Sequence, residues 1–381
     1  MSIAEPVSAL EVVTNEVRAR SRGPVTLRDV AERAGVSITT VSRILNGRET
    51  GVPIREATRE RIIVAAADLG YRPNMLARAL RGSRSWLLGV IVRDIADPFH
   101  IQVLRGINET ARDRDYRLFL GHLDWRPSEA AVFASMFEQS HADGIILIGD
   151  MVGGDAALDA LADRHPYIVG VTDRVSRRRV PGIYADNDLG TRLALDHLWS
   201  LGHRDVICVV DERMADGPFR AGVYERYLRD RGASDRVRVY HAAQPDAGPG
   251  YRLGRELFAG FDRPGHPTAI FAASDTIAIG LLQAAFQHGI QVPGQLSIVG
   301  FDDVDAATYM VPPLTTVSQR GQEMGEMATG LILDMIENQR PVDDVEDVVV
   351  TPRLVVRQST GPVPASEMAP AAPGGHRQEE G

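Results

Sequence analysis

From Trp86 onward the chain alternates short, continuous apolar runs with longer amphipathic stretches, and this alternation constrains the fold more than any other feature. LLGVIV (87–92) precedes a helical pattern near 99–114. YRLFLGH precedes one near 127–140, and DGIILIG one near 154–164. YIVGV, DVICVV, TAIFAA and LSIVGF follow with helical patterns between them. A run that is apolar without alternation must be buried on both faces, which a parallel sheet covered by helices provides. About ten such strands are expected over some 270 residues. That number predicts two doubly wound α/β lobes rather than one sheet. The chain, 381 residues with 44% hydrophobic residues, is large enough to bury cores of that size.

The segment before Trp86 has a different texture. Thr26-Leu27-Arg28-Asp29 fits a capping box, and Leu27, Val30, Ala31 and Ala34 then form one apolar helical face. Gly35-Val36-Ser37 interrupts the pattern, and Ser37 can cap a second helix from Ile38 to Leu45 with Val41, Ile44 and Leu45 inward. Two short helices joined by a glycine-containing turn suit a helix-turn-helix, though the pattern alone also fits a plain helical hairpin. In the first case Ile38, Thr39 and Arg43 would face the major groove. A third helix is expected near Arg55–Leu69. A short helix, Met75–Leu80, follows Tyr71-Arg72-Pro73-Asn74; by spacing it is either a minor-groove wedge or an ordinary linker.

Charge supports a polyanion partner for the first segment. Between Arg18 and Arg84 there are 14 arginines against 6 acids, a balance of +8, which leaves −17 on the rest of a chain whose net charge is −9. The other reading is a solvated arginine-rich surface. All 42 cationic side chains are arginines, since the chain has no lysine. The single cysteine, Cys208, rules out an internal disulfide framework and any multi-cysteine metal site, and its place within VICVV suits a buried structural thiol. No apolar run approaches the ~18 residues of a membrane span, and the N-terminus lacks the pattern of a secretory signal. A cytoplasmic protein without membrane contact is expected. There is no G-x-G-x-x-G after the first strand, no Walker A motif and no H-E-x-x-H. The ten histidines show no metal-ligand spacing with Cys208. An enzyme, a cofactor and a metal site are therefore not expected.

VTLRDVAERAGVSITTVSRILNG (25–47) and LGYRPNMLARALRGSRS (69–85) resemble the LacI/GalR family of bacterial transcription regulators. LLGVIVRDIADPFH (87–100), YADNDLGTRLALDHLWSLGHRDV (184–206), FAASDTIAIG (271–280) and LSIVGFDDVDAATYMVPPLTTVSQ (296–319) continue the resemblance in order, over roughly residues 25–357. It implies an all-α helix-turn-helix DNA-binding head and an α/β core of two doubly wound parallel-sheet lobes, of the type I periplasmic-binding-protein kind. The expected layout is a disordered arm (1–23), a DNA-binding domain (24–72), a hinge helix and linker (73–85), an effector-binding and dimerisation core (86–358) and a disordered tail (359–381).

The resemblance also implies roles. Ile38, Thr39 and Arg43 would read bases; Thr26, Ser37, Thr40, Ser42 and Asn46 would contact phosphates or cap helices. Asn74, Ala77, Leu80 and Arg81 match the hinge helix, with Leu80 at the intercalating position. Three chain crossings between lobes are expected near Asp186–Asn187, Ser318–Arg320 and Val350–Pro352. Beside them Asp97, Phe99, Asp173, Arg220, Ser274, Asp302 and Gln319 would bind a small-molecule effector, with carboxylates and an arginine suited to sugar hydroxyls. The implied protein is a homodimeric repressor on near-palindromic double-stranded operator DNA, answering to a sugar or sugar-like effector. Four departures stand out: a loop between Asn46 and Thr58 about three residues longer than the family's, Ser274 where asparagine is common, Pro245 near a usual aromatic position, and Gly222 one residue earlier than the usual glycine after the effector arginine.

Overall fold

The computed structural model describes residues 25–45, 54–71, 84–149, 161–171, 180–212, 214, 216–242, 248–261, 266–342 and 345–363. The chain forms two compact units, divided between residues 83 and 84. The first holds α1 (Leu27–Ala34), α2 (Ile38–Leu45) and α3 (Glu56–Asp68). Thr26 caps α1 with the reciprocal Asp29 bonds of a capping box, and Gly35 ends it in the left-handed conformation at φ 66°. The Ser37 hydroxyl accepts from the Thr40 amide at 3.1 Å at the start of α2. Val30, Ala31, Ala34, Val41, Ile62, Ala65 and Ala66 form its core, with Ile44 and Leu45 half-buried beside them.

The second unit begins where Asp143 gathers the incoming chain. Its carboxylate accepts from the Ser85 amide at 2.8 Å, the Ser85 hydroxyl at 2.9 Å and the Trp86 amide at 2.9 Å. The core therefore includes Ser85, which the sequence assigned to the linker. Lobe 1 is built on a sheet of order β11-β5-β4-β3-β1-β2, parallel throughout. Its strands are β1 (Leu87–Val92), β2 (Arg117–His122), β3 (Gly144–Ile148), β4 (Ile168–Val171), β5 (Gly182–Ala185) and β11 (Val348–Val350). Helices α4 (Pro98–Asp113), α5 (Pro127–Gln139) and α11 (Gly321–Asn338) cover it. Lobe 2 repeats the design in the order β12-β10-β9-β8-β6-β7, parallel except for β12. It contains β6 (Val206–Val210), β7 (Val239–His241), β8 (Ala269–Ala272), β9 (Ser297–Asp302), β10 (Thr315–Ser318) and β12 (Arg353–Val355). Its helices are α6 (Asn187–Ser200), α7 (Asp216–Asp230), α8 (Gly248–Phe258), α9 (Asp275–Gln287) and the short α10 (Asp305–Tyr309).

Strands β3, β6, β8 and β9 are buried along their whole length, as their continuous apolar pattern requires. The chain passes between sheets after β5, after β10 and after β11, at the three places expected from the sequence. Two expectations need correction. The described residues carry twelve strands rather than about ten, because β7, β11 and β12 have only three residues each and β10 is rich in threonine. The ordered core also runs past residue 358. Ser359 is fully buried, and the chain stays hydrogen-bonded to lobe 2 through Val363, whose amide donates to the Leu201 carbonyl at 3.0 Å.

Candidate DNA-reading head and interlobe cleft

In the head, α2 turns Val41 inward and leaves Ser37, Ile38 and Thr39 exposed. Ile38 is 43% exposed, an apolar side chain presented to solvent at the start of the helix. Thr39 and Arg43 are four residues apart and share a face, as do Ile38 and Ser42. Thr40, Ser42 and Arg43 are half-buried, while Thr26 stays exposed. Asn46, Asn74, Ala77, Leu80 and Arg81 lie outside the described residues, as does Asp173 of the effector set.

Between the lobes lies a cavity of about 470 Å³, including the part open to solvent. Lobe 1 contributes Arg93, Asp97, Phe99 and His100; lobe 2 contributes Asp211, Met214, Asp216, Gly217, Arg220, Ala273, Ser274, Ile277 and Asp302; Gln319 stands on the second crossing. All six described effector candidates line this one cavity. Arg93, His100, Asp211 and Asp216 were not singled out from the sequence. Arg93 directly follows β1 and Asp211 directly follows β6. The rule that open α/β sheets bind ligands beyond the carboxyl ends of their strands would have found both.

Arg220 anchors the site. Its Nε donates to Asn187 Oδ1 at 2.8 Å, Nη1 to the Ala273 carbonyl at 2.5 Å and Nη2 to Asp216 Oδ2 at 3.1 Å. Its guanidinium lies 3.6 Å from the Phe301 ring centroid, a cation–π contact that fixes the fork. Asp302 Oδ1 sits 3.8 Å from Nη1 and accepts from Gln319 Nε2 at 2.6 Å. Burial pushes the Asp302 carboxyl well above the usual range, opposed by Arg220. Gln319 is 2% exposed, and its Oε1 has no hydrogen-bond partner among the described residues. A buried acceptor left open at a cavity wall is costly unless a ligand or water donates to it.

The other wall starts at α4. Asp97 caps that helix by accepting from the Phe99 amide at 2.9 Å. Ser274 caps α9 by accepting from the Ile277 amide at 3.3 Å. His100 is buried, with Nδ1 2.8 Å from the Asp94 carbonyl, which makes Nδ1 the donor, and Nε2 3.5 Å from Arg93 Nη2. Burial lowers its pKa, opposed by Asp97, so the imidazole is neutral near pH 7. Among the described residues no cluster of His, Cys, Asp or Glu could hold a metal ion, and no helix is long and apolar enough to cross a membrane.

A helical head with an exposed second-helix face, joined to a two-lobed core around a polar cleft, defines the class of ligand-responsive DNA-binding regulators. Residues 26–74 match the bacterial regulatory proteins of the lacI family, and residues 195–360 match the periplasmic binding protein-like domain. The HTH-type transcriptional repressor CytR of Escherichia coli (strain K12) is 31% identical over 342 residues, spanning 89% of this chain and 97% of that protein. The chain belongs to the lacI family of transcriptional regulators. The lac repressor dimer bound to operator and the anti-inducer ONPF superposes with a TM-score of 0.75 at 25% identity, covering 89% of this chain and all of that one. The regulator CelR in complex with cellobiose has a TM-score of 0.61 at 27% identity, covering 88% and 99%. These relatives are transcriptional regulators rather than enzymes.

Proposed function

We propose that this regulator is a repressor that binds a near-palindromic operator as a homodimer in the cytoplasm and releases or grips it according to a sugar or sugar-like effector. The observation that carries the reading is the convergence of Asp97, Phe99, Arg220, Ser274, Asp302 and Gln319 on one interlobe cavity. Solved relatives support it: the lac repressor is held on its operator, and CelR holds cellobiose. In this reading Ile38, Thr39 and Arg43 read bases from the major groove, while Thr26, Ser37, Thr40, Ser42 and Asn46 fix the register on phosphate. Asn74, Ala77, Leu80 and Arg81 enter the minor groove, with paired Leu80 side chains wedging open a central pyrimidine–purine step. Asp173 joins the effector contacts.

The test separates the two ends of the molecule. DNA fragments selected by the purified protein supply the operator, and a thermal-shift panel of mono- and disaccharides supplies the effector. Arg43→Ala is expected to cost about 1–3 kcal/mol on the operator and much less on random DNA. Asp302→Asn is expected to bind operator normally and to lose the response to the sugar, because a ligand shifts an equilibrium only through differential contact. Equal losses on both DNAs would make Arg43 a phosphate contact, and loss of operator binding without sugar would make Asp302 structural.

A further inference from the structure

Asp302 and Asp303 are consecutive non-glycine residues with positive φ, 124° and 60°. L side chains crowd the backbone there, and such geometry persists only where surrounding contacts enforce it. Two of those contacts come from lobe 2. The Val304 amide donates to Asp275 Oδ2 at 2.9 Å, and Arg357 Nη2 donates to Asp303 Oδ1 at 2.6 Å. Two others come across the cleft from α4. Gln102 Nε2 donates to the Asp303 carbonyl at 2.7 Å, and Arg105 Nη2 donates to Asp305 Oδ2 at 3.1 Å.

Phe99, Gln102 and Arg105 are spaced three apart, so they follow one face of α4 from the cavity wall outward. Gln102 is also wedged against the second crossing. A Cβ on Gly321 would lie 3.1 Å from Gln102 Oε1 and 3.2 Å from its Cβ, so only glycine leaves the amide its full room. Two residues earlier, Gln319 donates to Asp302. One lobe 1 side chain thus touches both the crossing that carries Gln319 and the turn that carries Asp302.

We propose that Gln102 is a positioning residue: its bond to the Asp303 carbonyl holds the Asp302–Asp303 turn in its strained form, so that Asp302 is aimed into the cleft. The proposal rests on the reading of Asp302 as an effector contact. A bond that exists in one lobe arrangement and not the other biases that arrangement, and whatever binds Asp302 then shares in the bias. The exposed Arg105–Asp305 pair adds register more than energy.

Hydrogen exchange read by mass spectrometry on the ligand-free, full-length chain tests this. Gln102→Glu keeps the shape and removes the N–H donor; amides at 302–305 should exchange roughly three- to tenfold faster, the loss of about one hydrogen bond, with β6 and β8 unchanged. Gln102→Lys keeps a donor and should stay near wild type. Unchanged exchange in Gln102→Glu, or equally fast exchange in Gln102→Lys, overturns the proposal. Should Gln102→Glu fail to fold, Gln102→Met, of similar length and without an N–H donor, serves instead. It should speed exchange at 302–305 to the same extent; exchange at the wild-type rate overturns the proposal. Exchange that follows Gln102 in a protein whose Asp302→Asn variant still answers fully to sugar would keep the positioning role and remove the effector role of Asp302.

Discussion

The two lobes repeat one sheet design, but the returning chain completes them by different physics. Lobe 1 is closed by α11, which lies against α4 so tightly that a Cβ on Gly325 would overlap the Val103 carbonyl and one on Gly106 the Gln322 carbonyl. The rest of its inner face is mainly apolar: Met324, Ala328, Ile332, Leu333, Met335 and Ile336 are buried, and the one buried hydroxyl there, Thr329, donates within the helix to the Gly325 carbonyl at 2.9 Å. Lobe 2 is closed by β12 and the segment after it, held by hydrogen bonds. The Ser359 hydroxyl donates to the Ile298 carbonyl at 2.6 Å and accepts from the Thr315 amide at 2.8 Å. His203 Nε2 donates to the Gly361 carbonyl at 2.9 Å, and the Gly361 amide donates to Ser297 Oγ at 3.0 Å. One seam rests on area and contact, the other on satisfied polar groups. The second kind loses more when it is only partly broken, because each abandoned partner stays buried and unpaired.

The largest expected effect breaks the polar seam. Ending the chain after Gln358 removes Ser359, Thr360 and Gly361; it orphans the Ile298 amide and carbonyl and the Thr315 amide, and it leaves Ser297 and His203 with only each other and, for His203, Thr268. At about 1–3 kcal/mol for each buried group, the loss reaches the scale of a whole domain's margin, about 5–15 kcal/mol. Lobe 2 should lose its cooperative urea transition while the lobe 1 sheet persists by circular dichroism. A full-length urea midpoint in the shortened chain would show the seam to be dispensable.

A smaller effect tests the packed seam. Gly325→Ala places a methyl group into the Val103 carbonyl, so α11 and α4 must separate; overpacking of this kind costs about 1–3 kcal/mol. Gly222→Ala in α7 is the matched control, since its Cβ would meet only Arg226 Nη1 at 3.5 Å, and it should gain up to about 1 kcal/mol of helix propensity. Equal urea midpoints for the two variants would mean that the lobe 1 helices can shift apart freely.

The same contrast explains what could be read from the sequence. Strands with continuous apolar runs, such as IILI in β3 and VICVV in β6, announce themselves because burial on both faces leaves no polar position. β10 is equally buried, yet its residues are Thr315, Thr316, Val317 and Ser318. Thr316 is satisfied by donating to Asp275 at 2.5 Å, a partner 41 residues away that no local pattern reveals. Ser359 and Gly361 fail for the same reason: a Pro-, Ala- and Gly-rich stretch reads as a tail until its long-range partners are known. In the cleft, Arg220, Asp302 and Gln319 came from family resemblance, whereas Arg93 and His100 needed the fold to bring β1 and α4 to the cavity.

The smallest expected effect concerns acid, and it sharpens the comparison. His203 is fully buried, with Nδ1 2.9 Å from Thr268 Oγ1 and Nε2 on the Gly361 carbonyl. Burial holds its pKa below the ordinary value of 6.5. The unfolded chain therefore takes up a proton that the folded chain resists. The stability contributed by neutral His203 is complete above about pH 6.5, the unfolded value, and declines as pH falls toward the depressed folded pKa. His203→Gln retains a neutral donor and acceptor but cannot be protonated. Its urea midpoint should drop less than that of the wild type between about pH 7 and pH 5. Lobe 1 has buried histidines as well, since burial also lowers the pKa of His100 and His165, so part of the acid loss must survive the substitution. Burial also lowers the pKa of His197, which bonds Thr360 in the same polar seam, so the paired variant His203→Gln/His197→Gln completes the test: acid loss that survives it undiminished lies outside that seam, and the polar closure of lobe 2 is then not the acid-sensitive one.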